Sequence, residues 1–325
     1  MRAEQAFGLN HLVKISFERG DKFRFEQFPA LLDGLIEKAL EVGRLFYHVD
    51  WSICYDPDMD DGSVGQLDGL EGTADILDRI AQLRPKLVQD SVLPADFQDQ
   101  LVLITEAILT IRNMAMLPDN SLYLADCPTL KDLLCIVLNL PRQEIVVEIK
   151  HFALDIAEQV TPNLILASDD PLYQTLLAQL LDSTDRGIIL TALRAVGRIS
   201  MNFSETNKLG GVPPGVLRNI MNWLLLNDDE LMDACLDFLY QYTAVVSNVE
   251  TLLSAVAVEN LVSHLVRLLS HGAKRDALEI VIEPERKLVG GEHVVDIPRD
   301  LFERLLATEE PDRCYLPTPT RSWSR

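Results

Sequence analysis

Asp56, Asp58 and Asp60 stand at alternate positions in YDPDMDDG, which is how a calcium-binding loop begins. Such a loop needs Gly at its sixth position for a sharp turn, and a bidentate Glu at its twelfth to close the oxygen sphere. Counted from Asp56, those places hold Asp61 and Leu67, so the frame fails and a solvated acidic loop is expected. The six histidines (His11, His48, His151, His264, His271 and His293) offer no HxxxH, HExxH or Cys/His pairing at zinc spacing. His264 and His271 are seven residues apart, about two helical turns, too far to share one ion. There is no GxSxG, and the five cysteines (Cys54, Cys127, Cys135, Cys235 and Cys314) contain no CxxC. Gly210-Gly211 precede Val212-Pro213-Pro214 as a turn between helices, without the GxxxxGK[ST] or strand-borne GxGxxG of a phosphate loop. No catalytic residue, metal ligand or cofactor site is therefore expected, although a triad assembled from distant residues would leave no trace in a single sequence.

One other stretch has chemical potential. ISFERGDKFRF, from Ile15 to Phe25, interleaves aromatic and basic residues in the manner of single-stranded nucleic-acid platforms, where rings stack on bases and cations meet phosphates. Its context favours a different role. A helix ends near Phe17, Gly20-Asp21 makes a turn, and a second helix starts after Pro29. Phe17, Phe23, Phe25 and Phe28 are then expected to wedge a helical hairpin while the charged residues stay in water.

The elements that would position any site follow from composition and periodicity. Of 325 residues 48% are hydrophobic but only 6% aromatic, a Leu, Ile, Val and Ala mixture suited to helices packed by aliphatic contact. The net charge of -21 opposes a surface that tracks a phosphate backbone and suits a basic protein partner. Between Asp50 and Gln100 there are twelve acidic residues against three basic ones, so the charge is concentrated there. Without a leader-like segment or an apolar run of spanning length, an intracellular protein free of membrane is expected, with its thiols reduced.

Apolar residues at helical spacing dominate, and strand-like alternation is almost absent. The helices also repeat. Aligning Ala192-Leu193 with Cys235-Leu236 matches Val196 to Leu239 and Asp185 to Asp228, at an offset of 43. Leu133-Leu134 and Leu176-Leu177 share that offset, and Ile149 and Phe152 lie 44 positions before Leu193 and Val196. Spacings of about 40–47 characterise armadillo and HEAT units, each of which buries its apolar face only against its neighbours. The fold class is thus all-α, an armadillo/HEAT-like superhelical repeat array of about six or seven units. It is expected over residues 1–310, with an acidic insertion at about 50–90 and an irregular segment at about 272–298. A flexible tail at 311–325 would follow.

Two stretches carry a resemblance to a known family. NHLVKISFERGDKFRFEQFPALLDGLIEKALEV and DDELMDACLDFLYQYTAVVSNVETLL resemble the armadillo-like region of the ninth subunit of the fungal RSC chromatin remodeller. The animal counterpart is the AT-rich-interaction-domain subunit of polybromo-containing SWI/SNF complexes. The resemblance spans roughly residues 5 to 310. It implies a nuclear, non-enzymatic scaffold that docks the remodeller's ATPase subunit and other core subunits. Members often continue into a winged-helix DNA-binding module, which these residues lack, so weak or no direct DNA binding by this chain is expected. Two readings compete: an armadillo adaptor, cytoplasmic or nuclear, unrelated to chromatin, and an enzyme with a dispersed site. In isolation the chain is expected to be a monomer.

Armadillo proteins that bind nuclear-localisation peptides resemble one another in an ALxNL pattern whose Asn clamps an extended peptide. Here Thr110, Ala195 and Phe238 occupy the Asn place, so a groove should take a helix or a folded surface instead. Residues three, four and seven apart share a helix face. Counting from these positions, Asn113, His151, Arg198, Asn202, Phe238 and Gln241 are the candidate partner-binding residues, with Phe238 an exposed aromatic hot spot.

Overall fold

Prolines at 128, 171 and 214, each 43 residues after the last, open three successive helices. A proline in the first helical turn gives up an N–H that has no intrahelical partner there, so it starts a helix without cost. The computed structural model describes residues 2–18, 23–56, 63–86, 95–201 and 208–257. Asp58, Asp60 and Asp61, the Gly20-Asp21 turn, the helix expected at 258–272, the irregular segment and the tail lie outside the described residues.

The helices pack in two layers. α1 (Arg2–Glu18), α5 (Ala95–Ala115), α8 (Val147–Val160), α10 (Arg186–Ile199) and α12 (Asp229–Thr243) lie side by side in the first. α2 (Pro29–Leu40), α7 (Pro128–Leu138), α9 (Pro171–Asp182) and α11 (Pro214–Trp223) form the second, each against a first-layer helix. Short α6 (Pro118–Ala125) and α13 (Val246–Ala255) turn the chain between units, and α6 leaves α5 at 115°. The described residues hold four such pairs, flanked by α1 and α13. Units beyond residue 257, needed for the six or seven expected, are outside them.

The recurring caps show why the chain folds this way locally. Side chains of Asp170, Asp185 and Asp228 accept hydrogen bonds from Leu172, Ile188 and Leu231 N–H groups at 2.9, 2.9 and 3.1 Å. Each such cap is worth about 1 kcal/mol. Within α10 the apolar residues Ile188, Ile189, Ala192, Leu193, Val196 and Ile199 are buried, at helical spacing, while Arg194 and Arg198 face outward.

Polar staples tie neighbouring units together. The buried Asn120 side chain donates to the carbonyls of Phe23 (3.0 Å) and Met114 (3.1 Å) and accepts from the Phe25 N–H (3.0 Å). Asn248 repeats the device, donating to the Lys208 and Tyr242 carbonyls at 2.7 and 3.1 Å. Each asparagine thus caps a carbonyl near the end of the preceding first-layer helix and pins a loop of an earlier unit.

The aromatic opening is partly as expected. Phe25 is fully buried and stacks on Tyr123 at 6.5 Å, while Phe23 is half-buried against Phe28 at 5.2 Å. Phe17 is a correction: it is 80% exposed, because it lies on the side of α1 that has no neighbour among the described residues. Arg24 is paired with Asp119 at 2.7 Å.

The acidic insertion adds one short strand pair to the all-α array. β1 (Ser52–Cys54) and β2 (Gln66–Asp68) form a parallel pair with Ser52 opposite Gln66, and α4 (Ile76–Gln82) follows. The insertion has its own anchors in the core, Leu67 and Ile76. It is held to α7 by Asp132, whose carboxylate accepts from the Thr73 N–H (3.1 Å) and Thr73 Oγ1–H (2.7 Å). Trp51 lies over Gly43 of α3 (Val42–Phe46), where any Cβ would collide with the indole.

Candidate protein-docking site

Along the outward side of the first layer, opposite charges about one unit apart in sequence meet across helix joints. Arg112 of α5 pairs with Asp155 of α8 at 2.9 Å, and Arg198 of α10 pairs with Glu158 of α8 at 2.9 Å. Arg186 and Arg194 of α10 both reach Glu230 of α12 at 2.9 Å, and Arg186 also holds Asp228. The hydrogen bonds from Arg186 lower the Asp228 carboxyl to about 2 and also lower Glu230.

Between α10 and α12 this surface opens into a cleft of about 350 Å³. Arg194, Arg198, Met201, Asp237 and Gln241 line it, and Phe238 belongs to its floor. Met201 is 59% exposed. A cleft with cationic walls, an exposed thioether and one carboxylate can receive an apolar side chain flanked by an acidic group.

The structure brings three of the six expected residues together: Arg198, Phe238 and Gln241. It places the others elsewhere. Asn113 is buried, donating to Ser16 Oγ at 3.2 Å, and so joins α5 to α1. His151 lies at the other end of α10 from Arg198, roughly 20 Å along a helix of that length. There it meets Asp185 at 3.3 Å and packs against Gly187. Burial pushes the Asp185 carboxyl up, but the Ile188 N–H and His151 outweigh it and leave it below its ordinary value. Asn202 is outside the described residues.

Phe238 is also a correction in kind. It is fully buried and stacks on Tyr242 at 5.5 Å, so it is core and not an exposed hot spot. Thr110 and Ala195, the other reference positions of the stripe, are equally buried. The three side chains point into the crossing with neighbouring helices. One residue of shift turns a side chain by about 100°, and the neighbours Arg194 and Asp237 of Ala195 and Phe238 are the ones that line the cleft. Arg194, Met201, Asp237 and Glu158 were not anticipated. The signal for the charged ones was present in opposite charges spaced near the repeat length, as in Arg112 with Asp155.

Among the described residues, no group of three or more His, Cys, Asp or Glu side chains could hold a metal ion, and no single helix is long and apolar enough to cross a membrane.

No protein-family model matches the chain. Among solved structures it is similar to a designed armadillo repeat protein in complex with the peptide (KR)4, at 14% identity and a TM-score of 0.42. That alignment covers 85% of this chain and 98% of the designed one. An engineered protein aligns over 92% of this chain and 67% of its own length, at 16% identity and a TM-score of 0.46. Among curated proteins, the chromatin structure-remodeling complex subunit rsc9 of Schizosaccharomyces pombe is 24% identical over 321 residues. The alignment spans 95% of this chain and about a third (35%) of that subunit's length. Over nearly its whole length, then, this chain is similar to a chromatin-remodelling subunit of the family that its opening and later helices resemble.

Proposed function

We propose that the chain is a non-enzymatic scaffold of a SWI/SNF-type, RSC-like remodelling complex, working in the nucleus and docking the ATPase subunit and other core subunits. The observation that carries this reading is the similarity to a remodelling-complex subunit along 95% of the chain. The architecture supports it: repeat arrays present long continuous surfaces, and this one has a charged cleft between successive first-layer helices. Affinity purification of the tagged protein is expected to recover a remodelling ATPase. A cytoplasmic partner set without the ATPase would instead favour an adaptor unrelated to chromatin.

The α10–α12 cleft is the proposed contact. Arg198→Glu combined with Met201→Asp is expected to lower ATPase recovery about tenfold, a loss of about 1.4 kcal/mol. Met201 is exposed, but Arg198→Glu sets a second carboxylate beside the mostly buried Glu158, so a lower melting temperature is expected and recovery is compared at a temperature where circular dichroism shows the variant folded. Normal assembly by this folded double variant would place the partner surface elsewhere on the array.

Direct DNA binding by this chain is expected to be weak at physiological salt, because the net charge of -21 repels a polyanion. Submicromolar, salt-sensitive binding in a mobility-shift assay would overturn that part of the reading.

A further inference from the structure

At the opposite end of the α10 helix from the cleft just described, a second cleft of about 370 Å³ opens where α7, α8, α9 and α10 meet. Its wall includes Lys150, in the first turn of α8, a residue only 7% exposed. The Lys150 ammonium donates one hydrogen bond, to the Leu140 carbonyl at 2.7 Å. An ammonium has three N–H donors, and a buried cation without an anion is costly. Among the described residues Lys150 makes no ion pair.

The carboxylates around the cleft are otherwise engaged or set apart. Asp182 lies 3.6 Å from Arg142, and Asp185 is held by the Ile188 N–H and by His151. Glu144 lines the same cleft, but no carboxylate contributes to the electrostatic environment that shifts Lys150. Burial, with a smaller contribution from Arg142, lowers the amine from 10.5 to about 8. The residue therefore occupies a locally cationic spot inside an acidic protein, facing an open cleft.

We propose that this cleft is a docking pocket for a carboxylate side chain, Asp or Glu, of a protein partner, with Lys150 as its counter-ion and Arg142 at its flank. A monoanion fits better than phosphate, because Glu144, Asp182 and Asp185 would repel a dianion. Leu138, Val147 and Ile188 provide apolar wall for the methylene stem of such a side chain. The site is separate from the α10–α12 cleft, and it rests on the scaffold reading only in taking the carboxylate from a protein.

The test is selection of a randomised dodecapeptide display library on the full chain, with Lys150→Gln as the comparison. Gln removes the charge and keeps an N–H donor, on a side chain one atom shorter, so its lost binding is read as lost ion pairing only where its melting temperature matches that of the unaltered chain. Lys150→Met, which loses both, serves as a second comparison, with circular dichroism confirming the fold of each. Binders specific to the unaltered chain are expected to carry Asp or Glu at one fixed position. Changing that residue to Asn or Gln should weaken binding at least tenfold on the unaltered chain and leave the weak binding to Lys150→Gln unchanged. Three outcomes overturn the proposal: selected peptides with no fixed acidic position, equal binding to Lys150→Gln, or displacement by inorganic phosphate at lower concentration than by the monocarboxylate butyrate. Displacement by butyrate at the peptide's own affinity would assign the pocket to a small acid and overturn the protein source. ATPase recovery with unaltered tagged protein is scored separately, so failure here and failure of the scaffold reading are told apart.

Discussion

Phe238→Ala is expected to destabilise the array by about 3–5 kcal/mol, the usual cost of emptying a fully buried aromatic site. The ring has no solvent exposure, stacks on Tyr242 at 5.5 Å and underlies the cleft between α10 and α12. Truncation leaves a cavity that Leu193 and Ala234, held on separate helices, cannot close without moving backbone. Repeat arrays open locally, so the loss should be concentrated in α12 and its neighbours. Urea unfolding gives the total, and native-state hydrogen exchange along 229–243 shows where it falls. A loss under about 1 kcal/mol, with exchange in α12 unchanged, would mean that the ring is not core.

Asp132→Ala is expected to cost about 2–4 kcal/mol, whereas Asp132→Asn should cost less at pH 7. Alanine strands the Thr73 N–H and hydroxyl in the interior and frees the insertion from α7. Asparagine removes a charge that burial disfavours and keeps one oxygen that both donors can share, but its NH2 then stands in the place of Oδ1, 3.2 Å from the Thr73 N–H. Burial raises the Asp132 carboxyl from 3.8 to about 6, against the opposing hydrogen bonds of Thr73 and the charge of Lys131. The folded state therefore binds this proton more tightly than the unfolded chain. The stabilising contribution is fully present below about 3.8 and is lost as pH rises through about 6. A gap of about two pH units amounts to about 3 kcal/mol. Subtracting the stability-against-pH curve of Asp132→Asn from that of the unaltered chain should isolate a slope confined to pH 4–6. A flat difference would show that Asp132 titrates as it does in the unfolded chain.

What could be read in advance divides along physical lines. The layered array was legible because burial in a stack repeats the same apolar spacing, and the Asp185 and Asp228 caps mark the same place in successive units. The strands were not, because three residues are too few to show alternation and their pairing depends on the insertion docking against Asp132. α6 was hidden too: PDNSLYLA begins with turn-forming residues, and Asn120 is there for bonds to Phe23 and Phe25, far away in sequence. Sequence spacing does gather Arg198, Phe238 and Gln241 around one cleft, but Thr110, Ala195 and Phe238 were given the outward direction that belongs to their neighbours, since small and aromatic residues fit either side of a helix crossing. Charge pairing at the repeat offset would have set the rotation correctly.

The insertion also has a consequence in time. It separates α2 from α5, its first-layer partner, so the two helices of that pair are made far apart during synthesis. Later pairs, such as α9 with α10 and α11 with α12, follow one another after a few residues. On a ribosome adding about 5–20 residues per second, α1 and α2 wait on the order of ten seconds before α5 can cover them. Leu32, Leu35 and Ile36, all buried in the finished fold, stay uncovered by α5 for that interval. Among the described pairs, α1 and α2 are therefore the elements most open to chaperone capture or misassociation during synthesis, and each later pair closes almost as soon as it emerges.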